Sequence, residues 1–348
     1  MKKLFILIAL LITCGCLNSE AITSHKVYKC ATSEDIYNAL DSVKAGDSIV
    51  LQGGTVYELK KPLKLSAHGT KQSRITFTSH DKNGQGRHAV LTTVDGKKEE
   101  NLVAVSVTGS FWNISKIEIA GTKVTIDKKY WDIHGFRLGL YFSGSQYNLV
   151  EDVHIHHTHN AAVAIRNKSH HNTFKRMKIH HIGEWLSAEY NAHEGEGFYI
   201  GSSKGRQVGG AKAIVHNIVV EDSIIGPGLL GQYIDIKYAA SQVVIRNNRF
   251  YCGEKACNSE IVKVAGYANH IEDNTFIGAN DNLTRYISIE YKPKSTKDSV
   301  LVDYLGEKGI PAPSGKDNKI SNNVFPKTNR HIIHVQVDKQ KKKKKKSE

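Results

Sequence analysis

The chain has 348 residues, 40% hydrophobic and 24% charged, a balance near the globular average that excludes wholesale disorder. Lys and Arg outnumber Asp and Glu by 48 to 34, a net charge of +14; setting aside the +1 on residues 1–21 and the +5 on residues 338–348 leaves +8 on the body. That sign suits an acidic partner, with uronic-acid polysaccharide, nucleic acid and anionic membrane all allowed, and the length can bury a large core.

Lys2 and Lys3 precede an apolar run from Leu4 to Ile12, too short to cross a hydrocarbon core of roughly 30 Å as a helix. It reads as a secretory signal covering residues 1–21, with Ser19 and Ala21 as the small residues at the cleavage site. Cys16, preceded by Gly15, offers lipid anchoring at the cell surface as the alternative. No later segment is apolar enough to be transmembrane, so a secreted monomer is expected. Loss of the signal leaves Cys30, Cys252 and Cys257. The last two flank a short turn and predict a local disulfide, with Cys30 unpaired. Asn113, Asn167 and Asn282 lie in glycosylation sequons.

The body, residues 22–337, opens on a helix. Ser33 is placed to cap it, Ile36, Leu40 and Val43 share one face, and Gly46 stops it. Three strands are predicted next, Ser48 to Leu51, Leu63 to Leu65 and Ile75 to Thr78.

A short repeat then dominates. It begins with an apolar residue, continues through polar residues and ends on a large apolar one, as in Ile114-Ser-Lys-Ile-Glu-Ile119, Val150-Glu-Asp-Val-His-Ile155 and Phe174-Lys-Arg-Met-Lys-Ile179. Further copies end at Ile225, Phe250, Phe276 and Phe325, so the final residues are 36, 24, 46, 25, 26 and 49 positions apart. A period near 25 of short β-rich strands is what a parallel β-helix requires. The steps of 46 and 49 read as doubled coils and 36 as one coil with an insertion. Asn247-Asn248, Asp273-Asn274 and Asn322-Asn323 fall where the chain turns, and Asn tolerates the left-handed backbone of such a turn. Crossover chirality predicts a right-handed coil. Leucine-rich and propeller repeats are disfavoured, because their Leu spacing and Trp-Asp signatures are absent. The fold class is therefore all-β, a single-stranded right-handed parallel β-helix. The N-terminal helix caps one end, residues 298–337 cover the other, and residues 338–348 form a solvated Lys-rich tail.

The order Asp35-Ile-Tyr-Asn-Ala-Leu40, Ala45-Gly-Asp-Ser-Ile-Val-Leu51, Gly69-Thr70 and Arg74-Ile-Thr-Phe77, followed by Asn-x-Phe coils, resembles the pectin-lyase-like right-handed β-helix superfamily. Its opening is most similar to the chondroitinase B and alginate lyase group. The resemblance implies a polysaccharide lyase fold and a Lys base ahead of an Asn-Asn-x-Phe turn, a place held here by Lys237.

In such a solenoid one outer wall displays a row of side chains roughly 4.8 Å apart. Alternation places Asp235, Lys237, Tyr199, Lys263, Ser288 and Glu290 on that wall, with Tyr141 and Arg166 on neighbouring strands; Tyr141, Arg166, Ser288 and Glu290 are the expected substrate contacts. For β-elimination on a uronate glycan, Lys237 would act as base with Asp235, Lys263 and Tyr199 in support, nearby positive charge lowering the Lys237 pKa. Glu194 and Glu196 sit two positions apart among glycines, as ligands for Ca²⁺, as a glycosidase acid and base, or as a solvated turn. His156-His157 and His180-His181 fall one coil apart, as a transition-metal site, as an acid and base near pH 6 to 7, or as stacked turn residues. The expected partner is an acidic polysaccharide or cell-surface glycan rather than a specific nucleic acid. The alternative is a non-catalytic glycan-binding, adhesive or surface-coat protein.

Overall fold

The structure is a computed structural model that describes residues 25–93, 99–125, 131–183, 194–202, 214–238, 240–253, 259–279, 281, 283–291, 317–327 and 331–337. The predicted signal and its cleavage site, the Lys-rich tail, Cys257 and Asn282 lie outside the described residues.

The opening helix spans Ser33–Ser42, but Thr32 rather than Ser33 is its cap. The Thr32 hydroxyl accepts from the Asp35 amide at 3.2 Å and the Asp35 carboxylate accepts from the Thr32 amide at 2.8 Å. This reciprocal pair satisfies two amide donors that a helix start otherwise leaves open. Ile36, Ala39 and Val43 are buried against Val27–Cys30, Ser48–Gln52, Val56–Leu59 and Leu63–Leu65. Those strands are the first of the three sheets, so the helix seals the end of the solenoid as expected.

Among the described residues the strands form parallel sheets of ten, eight and nine members, with two small side pairs. The repeat lies across two of them. Its opening residues Ile114, Val150, Phe174, Val220, Ile245, Ile271 and Ile320 are register partners in the ten-stranded sheet. Its closing residues Ile119, Ile155, Ile179, Ile225, Phe250 and Phe276 are partners in the eight-stranded sheet. Phe325 continues that row, with its ring stacked 4.8 Å from Phe276. Apolar side chains therefore stand rung over rung in one continuous core.

Two spacings differ from expectation. Lys178–His180 pairs directly with Ile224–Ile225, and Ile271 directly with Ile320. The steps of 46 and 49 are thus single lengthened coils, because only the strands must stack while connections between them can lengthen outside the wall. The step of 36 carries an antiparallel pair, Thr122–Thr125 with Trp131–His134. Val27–Cys30, Val56–Leu59 and Ala89–Thr93 are strands that the sequence pattern did not single out. Of residues 298–337, expected to cover the other end, Lys319–Ser321 and His331–Val337 add last rungs to two sheets, while residues 298–316 and 328–330 lie outside the described residues.

The bend after each opening strand is made by the third residue of the repeat. Lys116, Asp152, Arg176, Asp222, Asn247, Asp273 and Asn322 all have φ between 50° and 56°. The Asn that follows points inward, so the two residues of each Asn pair do different work. Asn248 Nδ2 donates to Asn274 Oδ1 at 3.0 Å, and Asn274 Nδ2 to Asn323 Oδ1 at 2.9 Å.

Candidate functional site

The nine-stranded sheet carries the predicted wall. Register partners run Tyr141, Ala164, Tyr199, Asp235, Lys263, Ser288 and His334, while Ile234 and Ile236 are fully buried in the core. Arg166 is the partner of Ser143, one rung before Tyr199. Lys237 lies one residue past Ile234–Ile236 and Glu290 two past Ser288. The sequence thus places these side chains together, with Lys263 in step with Asp235.

Their surroundings differ from a row of solvated charges. Asp235 faces the wall yet is only 1% exposed, because Lys237 folds over it in an ion pair. Its Oδ1 is buried with no hydrogen-bond partner among the described residues. The Lys237 ammonium lies 4.6 Å from the Tyr199 ring centroid and the Arg166 guanidinium 4.4 Å from the same ring, so two cations share one aromatic. Lys263 reaches Glu290 at 2.9 Å, and the Tyr238 hydroxyl donates to the other Glu290 oxygen. Ser288 Oγ is buried beside them. Tyr141 accepts from Asn167 Nδ2 at 3.3 Å.

Titration follows from this burial. Burial alone would lower the Lys237 ammonium, but the paired Asp235 carboxylate overrides it and holds the group above its ordinary value. Lys263 behaves in the same way through Glu290. Desolvation pushes Asp235 up against the pull of Lys237. The lowered Lys237 pKa expected from neighbouring positive charge is therefore not found, because its nearest neighbour is an acid. Glu196 is 5% exposed, and desolvation followed by repulsion from Asp235 pushes its carboxyl up to about 7.

Glu196 is set by its glycines. Gly195 has φ +120°, a conformation open to a residue without Cβ, and a Cβ on Gly197 would come within 2.5 Å of the Tyr233 carbonyl oxygen. Glu196 accepts from the Gly195 amide at 3.3 Å. Glu194, by contrast, is exposed. The two carboxylates do not share one environment, and among the described residues they join no cluster of three His, Cys, Asp or Glu ligand atoms. Cys252 is disulfide-bonded, although Cys257, its predicted partner, lies outside the described residues. Cys30 is free and buried, and burial followed by the nearby Asp35 pushes its thiol up to about 11.

Sequence reasoning missed Tyr238, Asn167, and the pair of Glu260 with Arg285, 3.4 Å apart. The last two are register partners, so aligning the strands from Glu260 and Arg285 and matching opposite charges would have found them. The histidines stack as expected, with His156 and His180 rings 5.1 Å apart and His157 and His181 5.2 Å apart.

The family described as Pel9A-like, right handed beta helix region, matches residues 21–219, more than half of the chain. The chain belongs to this family. Its fold is therefore the right-handed parallel β-helix of the pectin-lyase-like group. Among solved structures, an alginate lyase from Paenibacillus sp. str. FPU-7 is similar over 89% of this chain and 99% of its own, at 21% identity and a TM-score of 0.67. The pectate lyase Pel9A is similar over 92% and 80%, at 14% identity and a TM-score of 0.54. The pectate lyase Bsp165PelA from Bacillus sp. N165, in complex with trigalacturonate, is similar over 88% and 84%, at 10% identity and a TM-score of 0.51. At these identities the likeness is one of fold. No curated protein matches the sequence. Among the described residues no helix of this family member is long and apolar enough to cross a membrane.

Proposed function

We propose that the chain is a secreted polysaccharide lyase that cleaves a uronate-containing glycan by β-elimination. The observation that carries this reading is the grouping of Arg166 and Lys237 over Tyr199, with Asp235 beneath Lys237, Glu196 close enough to feel both, and Lys263 on the rung after Asp235. The alginate and pectate lyases of similar fold support an acidic polysaccharide as the substrate class.

In the reaction a base takes the proton on the carbon next to the sugar carboxylate. The electron pair forms a carbon–carbon double bond as the glycosidic C–O bond breaks, and the departing oxygen takes a proton. Lys237 and Arg166 are cations here and suit the sugar carboxylate and the charge that grows on it. Lys237 as an ammonium is a proton donor, so the base duty expected of it passes to Glu196, whose pKa of about 7 matches a general base at neutral pH. Tyr199 offers its ring as a floor between the cations.

Purified protein is incubated with alginate, pectate, chondroitin and dermatan, with and without Ca²⁺, and absorbance of the unsaturated product is followed. Product is expected on at least one. Glu196→Gln should lower kcat by roughly 10²–10⁴-fold and Lys237→Ala kcat/KM by roughly 10²–10³-fold. Full rates in both variants place the chemistry elsewhere. Loss of rate on chelation with EDTA, restored by Ca²⁺, would support the expected Ca²⁺ requirement, and its persistence in Glu194→Gln would place the ion away from that carboxylate.

A non-catalytic glycan-binding, adhesive or surface-coat role is the second reading. It is favoured by the pairing of Lys237 with Asp235 and Lys263 with Glu290, which keeps both lysines charged. Salt-sensitive binding with no product on any glycan would select it. Secretion, or anchoring through Cys16, is tested by the mass of the mature N-terminus in the host.

A further inference from the structure

We propose that the eight-stranded sheet, away from the glycan wall, carries a binding site for a divalent first-row transition metal of the zinc class, with Glu118, His154 and His156 as ligands. The parallel ladder assembles the site. Glu118 and His154 are register partners on adjacent strands, and His156 stands two residues beyond His154 on the same face. The partner of His156 on the lower strand is Ala120, whose small side chain leaves room for the imidazole to lean towards Glu118.

The donor atoms already converge. Glu118 Oε1 lies 3.1 Å from His156 Nε2 and Glu118 Oε2 lies 3.5 Å from His154 Nδ1. These distances bracket the spacing of roughly 3.3 Å between ligands in a tetrahedral zinc site with bonds near 2.0–2.1 Å. One ligand atom from each of the three residues can be chosen so that all lie within 4.8 Å of one another. Two imidazoles and one carboxylate are a donor set suited to such ions. The three side chains are 15–29% exposed, so the cluster is firmly seated yet leaves a side open for water or a further ligand.

A second layer is also present. With His154 binding through Nδ1, its Nε2 is left to donate to His180 Nε2, 2.8 Å away; with His156 binding through Nε2, its Nδ1 is left to donate to His157 Nδ1, 2.7 Å away. Each ligating ring is thus held in one tautomer and orientation by another imidazole, which is how outer groups fix metal-binding histidines. His180 is in turn joined to His181 at 2.6 Å. Lys178, the register partner of His154 on the next strand, is exposed to solvent, which screens its charge from the cluster.

The test uses untagged full-length protein freed of metal by chelating resin and titrated with Co²⁺ alone. A saturable visible d–d band at about one Co²⁺ per chain, displaced by Zn²⁺, is expected, together with a higher melting temperature in Zn²⁺. His156→Ala and Glu118→Gln should each weaken Co²⁺ binding by more than about tenfold. His170→Ala, in the separate imidazole stack of His170 with His216, should leave it unchanged. Absence of a saturable band, survival of the band in both ligand variants, or its loss in His170→Ala overturns the proposal. Should His156→Ala fail to fold by circular dichroism, the near-isosteric Glu118→Gln decides.

Discussion

At the scale of single residues, the wall is ruled by how deeply its charges are sunk. Glu196 illustrates the sign. Unfolded, its carboxyl releases its proton near pH 4.5; folded, near 7. Between these values the folded chain holds a proton that the unfolded chain has lost, so rising pH favours unfolding, by roughly 3 kcal/mol once pH 7 is passed. Melting temperature followed from pH 4 to 8 should therefore fall less steeply in Glu196→Gln than in the parent, and identical slopes would refute the burial effect. The Lys237–Asp235 pair gives a second case. Lys237→Met should cost roughly 3–5 kcal/mol by leaving a buried carboxylate without its partner, whereas Lys237→Met with Asp235→Asn should recover most of that loss. Chemical denaturation of the two variants checks the order. The alternation that put Asp235 and Lys237 on one face was legible in the sequence. The burial of Asp235 was not, since it depends on Lys237 folding back and on strands that lie 25 or more residues away.

At the scale of elements, the rungs are keyed by amides as well as by apolar contact. Asn274 Oδ1 accepts from both the amide and the side chain of Asn248, while Asn274 Nδ2 donates to the Ile245 carbonyl. Asn274→Ala leaves these buried groups unsatisfied at about 1–3 kcal/mol each, so a loss of more than about 3 kcal/mol is expected in denaturant titration. Asn274→Asp keeps the acceptor, and its loss should be smaller at a pH where the acid is neutral. The repeat was readable because an apolar residue and a left-handed turn recur together. The length of each excursion was not, since spacing alone cannot separate two short coils from one long one; the pairing of Ile179 with Ile225 decides it. The strands Val56–Leu59 and Ala89–Thr93 escaped notice because they precede the first full copy of the repeat at Ile114.

At the scale of the whole molecule, every rung touches only its neighbours, so protection should be greatest where both neighbours are complete. Hydrogen exchange is expected to be slowest around Ile155 and Ile179 and faster at Val27–Cys30 and Lys319–Ser321, which stand at the two edges of the ten-stranded sheet. A uniform rate along the axis would mean one indivisible cooperative unit. The solenoid itself was evident from the sequence, because it is written seven times over. The chemistry was harder to read, because each reactive group appears once and its character is set by neighbours from other coils.

The row of inward amides carries a direction. Each side chain gives its N–H to the residue of the following coil and takes from the one before, like links that hook only one way. Sliding the strand of Asn248 or Asn274 by a single position would put a polar neighbour such as Asn247 or Asp273 in that thread and leave the buried amide of the adjoining coil without its partner. The spine that looks like a minor polar impurity in the core thus serves as a vernier, fixing which wall residues stand level with one another and so which charges a glycan would meet.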